Sequence, residues 1–184
     1  MAKIGVSGFR YALQTADTSS ALTYGTPVLV PGVVAIDVKT GKDRMTLFAD
    51  NGPFDSASAL GEITVDLELA DLSLEVYAAL LGHTVASGVM TSHANDVAPY
   101  VAIGFEGLKA NGKKRWVWLL KGQFAEPDDT FKSKGETVEF QTQKLTGTFV
   151  VTAKNGNWKK TTDEDATGYV EGSGATFIAT VPTT

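Results

Sequence analysis

DNGPFDSASALGEITVDLELADLSLEVYAALLGH, residues 50–83, changes its periodicity twice with no structureless gap between the changes. Residues 50–58 are rich in Gly, Pro, Ser and Asp, the composition of a loop. From Glu62 to Leu69 the apolar Ile63, Val65, Leu67 and Leu69 alternate with Glu62, Thr64, Asp66 and Glu68. A period of two sends successive side chains to opposite faces, so this segment is a half-buried strand with one apolar and one acidic face. From Leu72 the spacing becomes helical. Leu72, Val76, Ala79 and Leu80 share a side, Asp71 or Ser73 is placed to cap the start, and Gly82 stands where helices stop. A helix of about ten residues is about 15 Å long and marginal alone in water, so its stripe must dock on a sheet or on another subunit.

Working outward, residues 27–38 are β-branched and apolar, Lys39, Thr40, Gly41 and Lys42 read as a turn, and residues 43–49 as the returning strand. That hairpin carries a cationic tip of Lys39, Lys42 and Arg44, and the loop after it presents Phe54, so residues 39–60 form an extended loop region. In residues 1–25, Ile4, Val6, Phe9 and Tyr11 hint at alternation while residues 14–23 are small and polar. Both an ordinary first strand and a loose arm fit that pattern. Downstream of the helix, residues 84–96 are a polar loop, and Val101, Ile103 and Phe105 mark a strand. Ala110, Asn111 and Gly112 make a hairpin turn, and residues 115–124 return with Trp116, Trp118 and Leu120 on one face. Pro127, Asp128 and Asp129 form a loop. Residues 137–151 read as a long strand whose apolar phase slips between Phe140 and Leu145, the mark of a bulge. Residues 155–174 are a turn followed by a polar, flexible segment, and Ala175, Phe177, Ala179 and Val181 alternate as a final strand. Hairpin-linked strands with one convincing helix predict a mainly β domain, a β-sandwich or partly closed barrel with one flanking α-helix.

A chain of 184 residues and 19.4 kDa fits a single domain that buries roughly 70% of its unfolded surface. Sixteen basic against 21 acidic residues give a formal charge of -5, which argues against general binding to nucleic-acid phosphates. With no cysteine there are no disulfides or thiolate metal sites, a composition that suits a reducing compartment. The start, MAKIGVSGFRYAL, does not read as a secretory signal, and no segment approaches membrane-spanning length.

Catalytic chemistry finds little support. His83 and His93 are the only histidines, and there is no G-x-S-x-G elbow to activate a serine. His83 follows the helix end, where a protonated imidazole is favoured by the dipole and can bond free carbonyls; His93 sits in a polar loop. GLKANGKK, residues 107–114, superficially matches a phosphate-binding loop, yet it lacks the Ser or Thr for magnesium and lies between two strands. Lys109, Lys113, Lys114 and Arg115 form a basic patch beside Trp116 and Trp118, where single-stranded nucleic acid would stack; alternating tryptophans are more often core. The acidic face is the strongest feature. Carboxylates two residues apart on one strand face lie about 7 Å apart and repel by roughly 0.6 kcal/mol in water, about four times more at an effective dielectric of 20. Glu62, Asp66 and Glu68 therefore face water or cations, and one flat strand does not supply the oxygens of a calcium site. No metal, cofactor or enzymatic activity is expected.

LGEITVDLELADLSLEVYAALLGH, read with YGTPV, APYVAIGF, NGKKRWVWLLKGQFAEP and VEFQT, resembles the major tail proteins, the tail tube subunits, of long-tailed phages of Gram-positive bacteria. The resemblance spans roughly residues 24–149 and lies in the order of these phrases. Ser73 departs from it where a helix-starting proline is expected, and Gln143 where a proline often follows FQT. What the resemblance implies is a tail tube-like fold and a homo-oligomer of stacked, hexameric rings in the virion tail, assembled in the host cytoplasm. The tube conducts DNA without binding it specifically, with no membrane contact, and its further partners are tape-measure, tail terminator and tail-tip proteins. Residues 1–25 would then be an arm, and Phe54 would sit on a loop that reaches an adjacent subunit. Glu62, Asp66 and Glu68 are the candidate lumen-facing residues. Lys39, Lys42, Arg44, Lys109, Lys113, Lys114 and Arg115 are expected to meet Asp128, Asp129, Asp163, Glu164 and Asp165 between rings. The alternative is a β-sandwich carbohydrate-binding module using Trp116, Trp118 or Trp158.

Overall fold

The alternation over residues 62–69 marks the inner end of a much longer strand. In a computed structural model of the chain, which describes residues 2–49, 52–128, 133 and 142–184 (for 42–49 and 52–59 the backbone alone), β5 runs Gly52–Leu69 and pairs antiparallel with β4, Val33–Ala49. Ile63, Val65, Leu67 and Leu69 are each at most 1% exposed, while the intervening polar residues face outward. The turn expected at Lys39–Lys42 is absent; the strand passes straight through it. Gly41 instead faces both Gly61 and Glu62 across a register slip, and a Cβ on Gly61 would stand 3.0 Å from the Gly41 carbonyl oxygen. Glycine here marks a bulge where two backbones meet, not a turn. Residues 52–58, expected as loop, belong to β5.

The remaining strands build on this pair. β1 (Lys3–Asp17), β2 (Leu22–Tyr24), β3 (Val28–Leu29), β8 (Val101–Lys109), β9 (Lys114–Phe124), β10 (Gln143–Phe149) and β11 (Lys159–Asp163) join β4 and β5 in one antiparallel sheet. Its order is β2-β1-β8-β9-β10-β5-β4, with β3 added on β1 and β11 on β9. Residues 3–17 are thus a strand paired along β8. The segment 84–96 contains a small separate hairpin, β6 (Thr84–Ala86) and β7 (Val89–Thr91). Of the strand expected over 137–151, β10 is its C-terminal part. Residues 137–141, with the Phe140 side of the phase slip, lie outside the described residues.

Phe9 and Tyr11 of β1 share one apolar cluster with Ile36 and Val38 of β4. Five strand spacings separate β1 from β4, about 24 Å in a flat sheet, so the sheet curls until its two ends meet over a common core. Among the described residues the ends do not pair as strands, and the result is sandwich-like and not a closed barrel. Helix α1, Leu74–Leu81, plugs this core with Tyr77, Ala78, Leu80 and Leu81. Ser73 stands at its N-terminus, and Gly82 ends it in the left-handed region (φ 82°), donating to the Ala78 carbonyl. A Cβ on Gly82 would also strike the Val97 carbonyl oxygen.

β9 is buried on both faces. Val117, Leu119 and Phe124 enter the first cluster; Trp116, Trp118 and Leu120 form a second, with Ala102 and Ile178. What covers the second cluster is a helix where a strand was expected: α2, Ser173–Ala179. Ala175, Phe177 and Ala179 do alternate, but so short a window does not separate the two periods. Gly174 and Ile178, four apart, are the residues α2 buries. Three anchors fix it: the Trp118 indole N–H donates to the Phe177 carbonyl at 2.9 Å, the Trp116 ring stacks on Tyr169 at 6.0 Å, and Arg10 donates to the Ile178 carbonyl at 3.3 Å. Residues 155–174, expected to be flexible, include β11, paired along β9. Gly174 lets the helix lie directly on the indole, since a Cβ there would fall 2.3 Å from Trp116 ring carbons. Gly174→Ala is expected to lower stability by about 1–3 kcal/mol, the usual cost of overpacking, measured as a lowered urea midpoint with unchanged slope.

Candidate functional site

The outward face of β5 is flanked by β4 and β10, and register decides what its carboxylates meet. Asp66 lies opposite Thr146 on one side and Asp37 on the other; Glu68 lies opposite Lys144 and Ala35. Three hydroxyls, two from β10 and one from Thr142 just before it, donate to the three acids: Thr142 to Glu68 at 2.5 Å, Thr146 to Asp66 at 2.9 Å and Thr148 to Glu62 at 3.3 Å. Lys39 adds an ion pair to Asp66 at 2.6 Å, and the Lys144 ammonium lies 3.9 Å from Glu68. The Lys39 ammonium, followed by the Thr146 hydroxyl, holds the Asp66 carboxyl below its ordinary range. A groove of about 190 Å³ runs between these strands, lined by Asp37, Asp66, Glu68, Lys144 and Thr146. Glu62, Asp66 and Glu68 are therefore brought together on one solvated face, as expected, but the face is mixed. Among the described side chains four carboxylates, counting Asp37, stand against two ammoniums. The threonines were missed; their signal was the period of two in Thr142, Lys144, Thr146 and Thr148 against buried Leu145, Gly147 and Phe149.

Lys39 is not at a hairpin tip, because the chain does not turn there. Lys42, Arg44 and Phe54 fall in strand segments whose side chains lie outside the described ones, and Asp129 lies outside the described residues. Asp128 is exposed beyond the end of β9.

The second group of charges, expected to pair between subunits, pairs within one chain. Antiparallel β9 and β11 place Arg115 directly opposite Asp163. Arg115 forks onto both Asp163 oxygens at 2.5 Å, Lys109 reaches Asp163 at 3.0 Å and also contacts Asp165, and Lys113 reaches Glu164 at 3.0 Å. Lys114 pairs with Glu106 at 3.0 Å, and its backbone N–H donates to Glu164 at 2.9 Å. The basic patch is thereby neutralised by its own sheet neighbours. Lys109, only 5% exposed, is a buried cation with two carboxylates on it, and they raise its pKa. The Arg115 guanidinium, helped by Lys109, holds Asp163 down at about 2.

Neither tryptophan beside this patch offers a flat face to a base or a sugar. Trp118 is fully buried and Trp116 nearly so, both under α2; Trp158 is half-buried, with the Lys159 ammonium 5.7 Å from its ring centre. His83 bonds side-chain carboxylates of Asp96 and Glu126, not helix carbonyls. His93 is exposed in its loop, its Nδ1 accepting the Asn95 N–H at 3.1 Å. Among the described residues no group of three or more His, Cys, Asp or Glu is arranged to hold a metal ion, and no helix is long and apolar enough to cross a membrane. A scan against protein-family models and a search of curated proteins found no match to this chain.

Acid should expose the Asp163 pairing. A carboxyl held at about 2 when folded, against an ordinary value near 3.8, contributes stability that is complete above about pH 4 and lost as pH falls through 2. Urea midpoints followed from pH 5 to 2 are expected to fall more steeply for the wild type than for Asp163→Asn.

Proposed function

We propose that this chain is a structural subunit of a phage tail tube, self-assembling into stacked hexameric rings that conduct DNA from the virion into the host. The observation that carries the reading is the β4–β5 ribbon. β10 pairs with β5 only at residues 63–69, so among the described residues β5 from 52 to 62 and its β4 partner form a ribbon two strands wide. A lone two-stranded ribbon is marginally stable in water, and its unpaired edges are templates for another chain. An identical subunit supplies the missing surface with no further gene product, and contacts that do not close on themselves build filaments of stacked rings.

The face built from Glu62, Asp66 and Glu68 supports the same reading. It is wet and hydroxyl-rich, and its described side chains are net negative, so it attracts water and, among the described residues, offers DNA phosphates two cations, each beside a carboxylate. A wall of that kind lets a polyanion slide. The charges at Lys109–Arg115 have their ion-pair partners within the same chain. The phrases shared with tail tube subunits add the remaining partners: tape-measure, terminator and tip proteins, with the virion tail as the location.

Negative-stain microscopy of the purified protein tests the assembly, with rings or tubes expected for the wild type. A variant with residues 43–58 replaced by a two-residue turn is expected to remain folded by circular dichroism and to run as a monomer in sedimentation. A folded wild type that stays monomeric with the other tail components present would overturn the reading. The wall is tested separately. Glu62→Lys, Asp66→Lys and Glu68→Lys together are expected to leave rings intact while slowing genome delivery, read as a lowered plaque count per particle.

A further inference from the structure

Helix α1 ends against an imidazole that is 6% exposed. His83 Nδ1 lies 2.8 Å from Asp96 Oδ2, and its Nε2 lies 2.9 Å from Glu126 Oε2. Ionised carboxylates only accept, so both contacts are hydrogen bonds only when both ring nitrogens carry protons. Among the described residues the other titratable groups facing this cluster are Tyr77 and His93. The Tyr77 ring stacks on His83 at 6.1 Å and its hydroxyl donates to Glu126 Oε1 at 3.1 Å; the His93 backbone N–H donates to Asp96 Oδ2 at 2.8 Å.

We propose that His83 is a proton-operated latch: protonated, it ties the end of α1 both to the 92–100 loop and to Glu126 at the exit of β9, and on deprotonation it keeps Asp96 and releases Glu126. The choice of which bond breaks follows from burial. The Asp96 side chain is 20% exposed and that of Glu126 58%. Stranding a carboxylate costs more where water reaches it less, so the single proton of the neutral ring stays on Nδ1, facing Asp96. Nε2 then turns a lone pair toward Glu126 Oε2, acceptor against acceptor, and the exposed carboxylate moves into water. The two carboxylates, Asp96 first, raise the His83 pKa above its ordinary 6.5. The latch is therefore fully closed below that value and opens as pH rises through the higher, folded one.

Nuclear magnetic resonance tests this on the intact protein. The His83 ring nitrogens report protonation and tautomer, and Overhauser contacts from the ring to the side chain of residue 126 report the link. In the wild type His83 is expected to titrate above 6.5, to retain the Nδ1–H tautomer, and to lose its contact with Glu126 as it titrates. In Glu126→Gln the carboxamide N–H donates to the Nε2 lone pair, so the contact is expected to persist to pH 9 and above. Titration at or below 6.5, an Nε2–H tautomer, or a wild-type contact that survives deprotonation would overturn the proposal.

Discussion

A strand buried on both faces has to find two apolar partners, and β9 is such a strand. Val117, Leu119 and Phe124 demand a core on one side; Trp116, Trp118 and Leu120 demand one on the other. The first demand is met by curling the sheet over itself and plugging it with α1. The second is met by α2, laid on the indoles through Gly174. Sequence neighbours cannot do either job, so residues far apart in the chain are drawn to this one strand. β11 follows from the same constraint: pairing along β9 sets Asp163 against Arg115, and the ion-pair cluster grows from that register.

Strands with one wet face were readable from the residues alone. The alternation in 62–69 places the acids outward and the aliphatics inward because a half-buried strand leaves only one arrangement that hides four large apolar side chains. Gly82 and the Asn111-Gly112 turn were readable for a similar reason, since left-handed backbone restricts the residue type. What the residues did not reveal depends on distant partners. Lys39-Thr40-Gly41-Lys42 has turn composition, yet Gly61 across the ribbon makes it a bulge. Residues 173–179 have strand-like alternation, yet Trp116 and Trp118 need a helix lid. The charges at 109–115 and 163–165 were legible as charges; their satisfaction within one chain depended on a pairing of β9 with β11 that no local pattern announces.

Two groups of polar side chains on the large sheet contrast. At the β9–β11 edge, cation meets carboxylate at close range, and Lys109 is buried in the process, which fixes the 163–165 segment in place. On the outer face of β5 threonine hydroxyls orient all three acids, while Lys39 pairs with Asp66 and Lys144 approaches Glu68, so the charge is only partly cancelled. Hydrogen bonding with only partial neutralisation keeps that face both ordered and, among the described side chains, net negative. The same sheet thus carries a quiet, self-satisfied edge and a polarised wall.

At Gly41 and Gly61 the ribbon leaves the sheet through a waist made of backbone alone. Insertions, deletions or exchanges beyond that point leave the packing around β9 unchanged, so natural selection is free to remodel the outer ribbon at a pace the rest of the chain cannot match. Lineages descended from a common ancestor would then differ most in the reach of this ribbon, and least in the indole-lined strand at the centre.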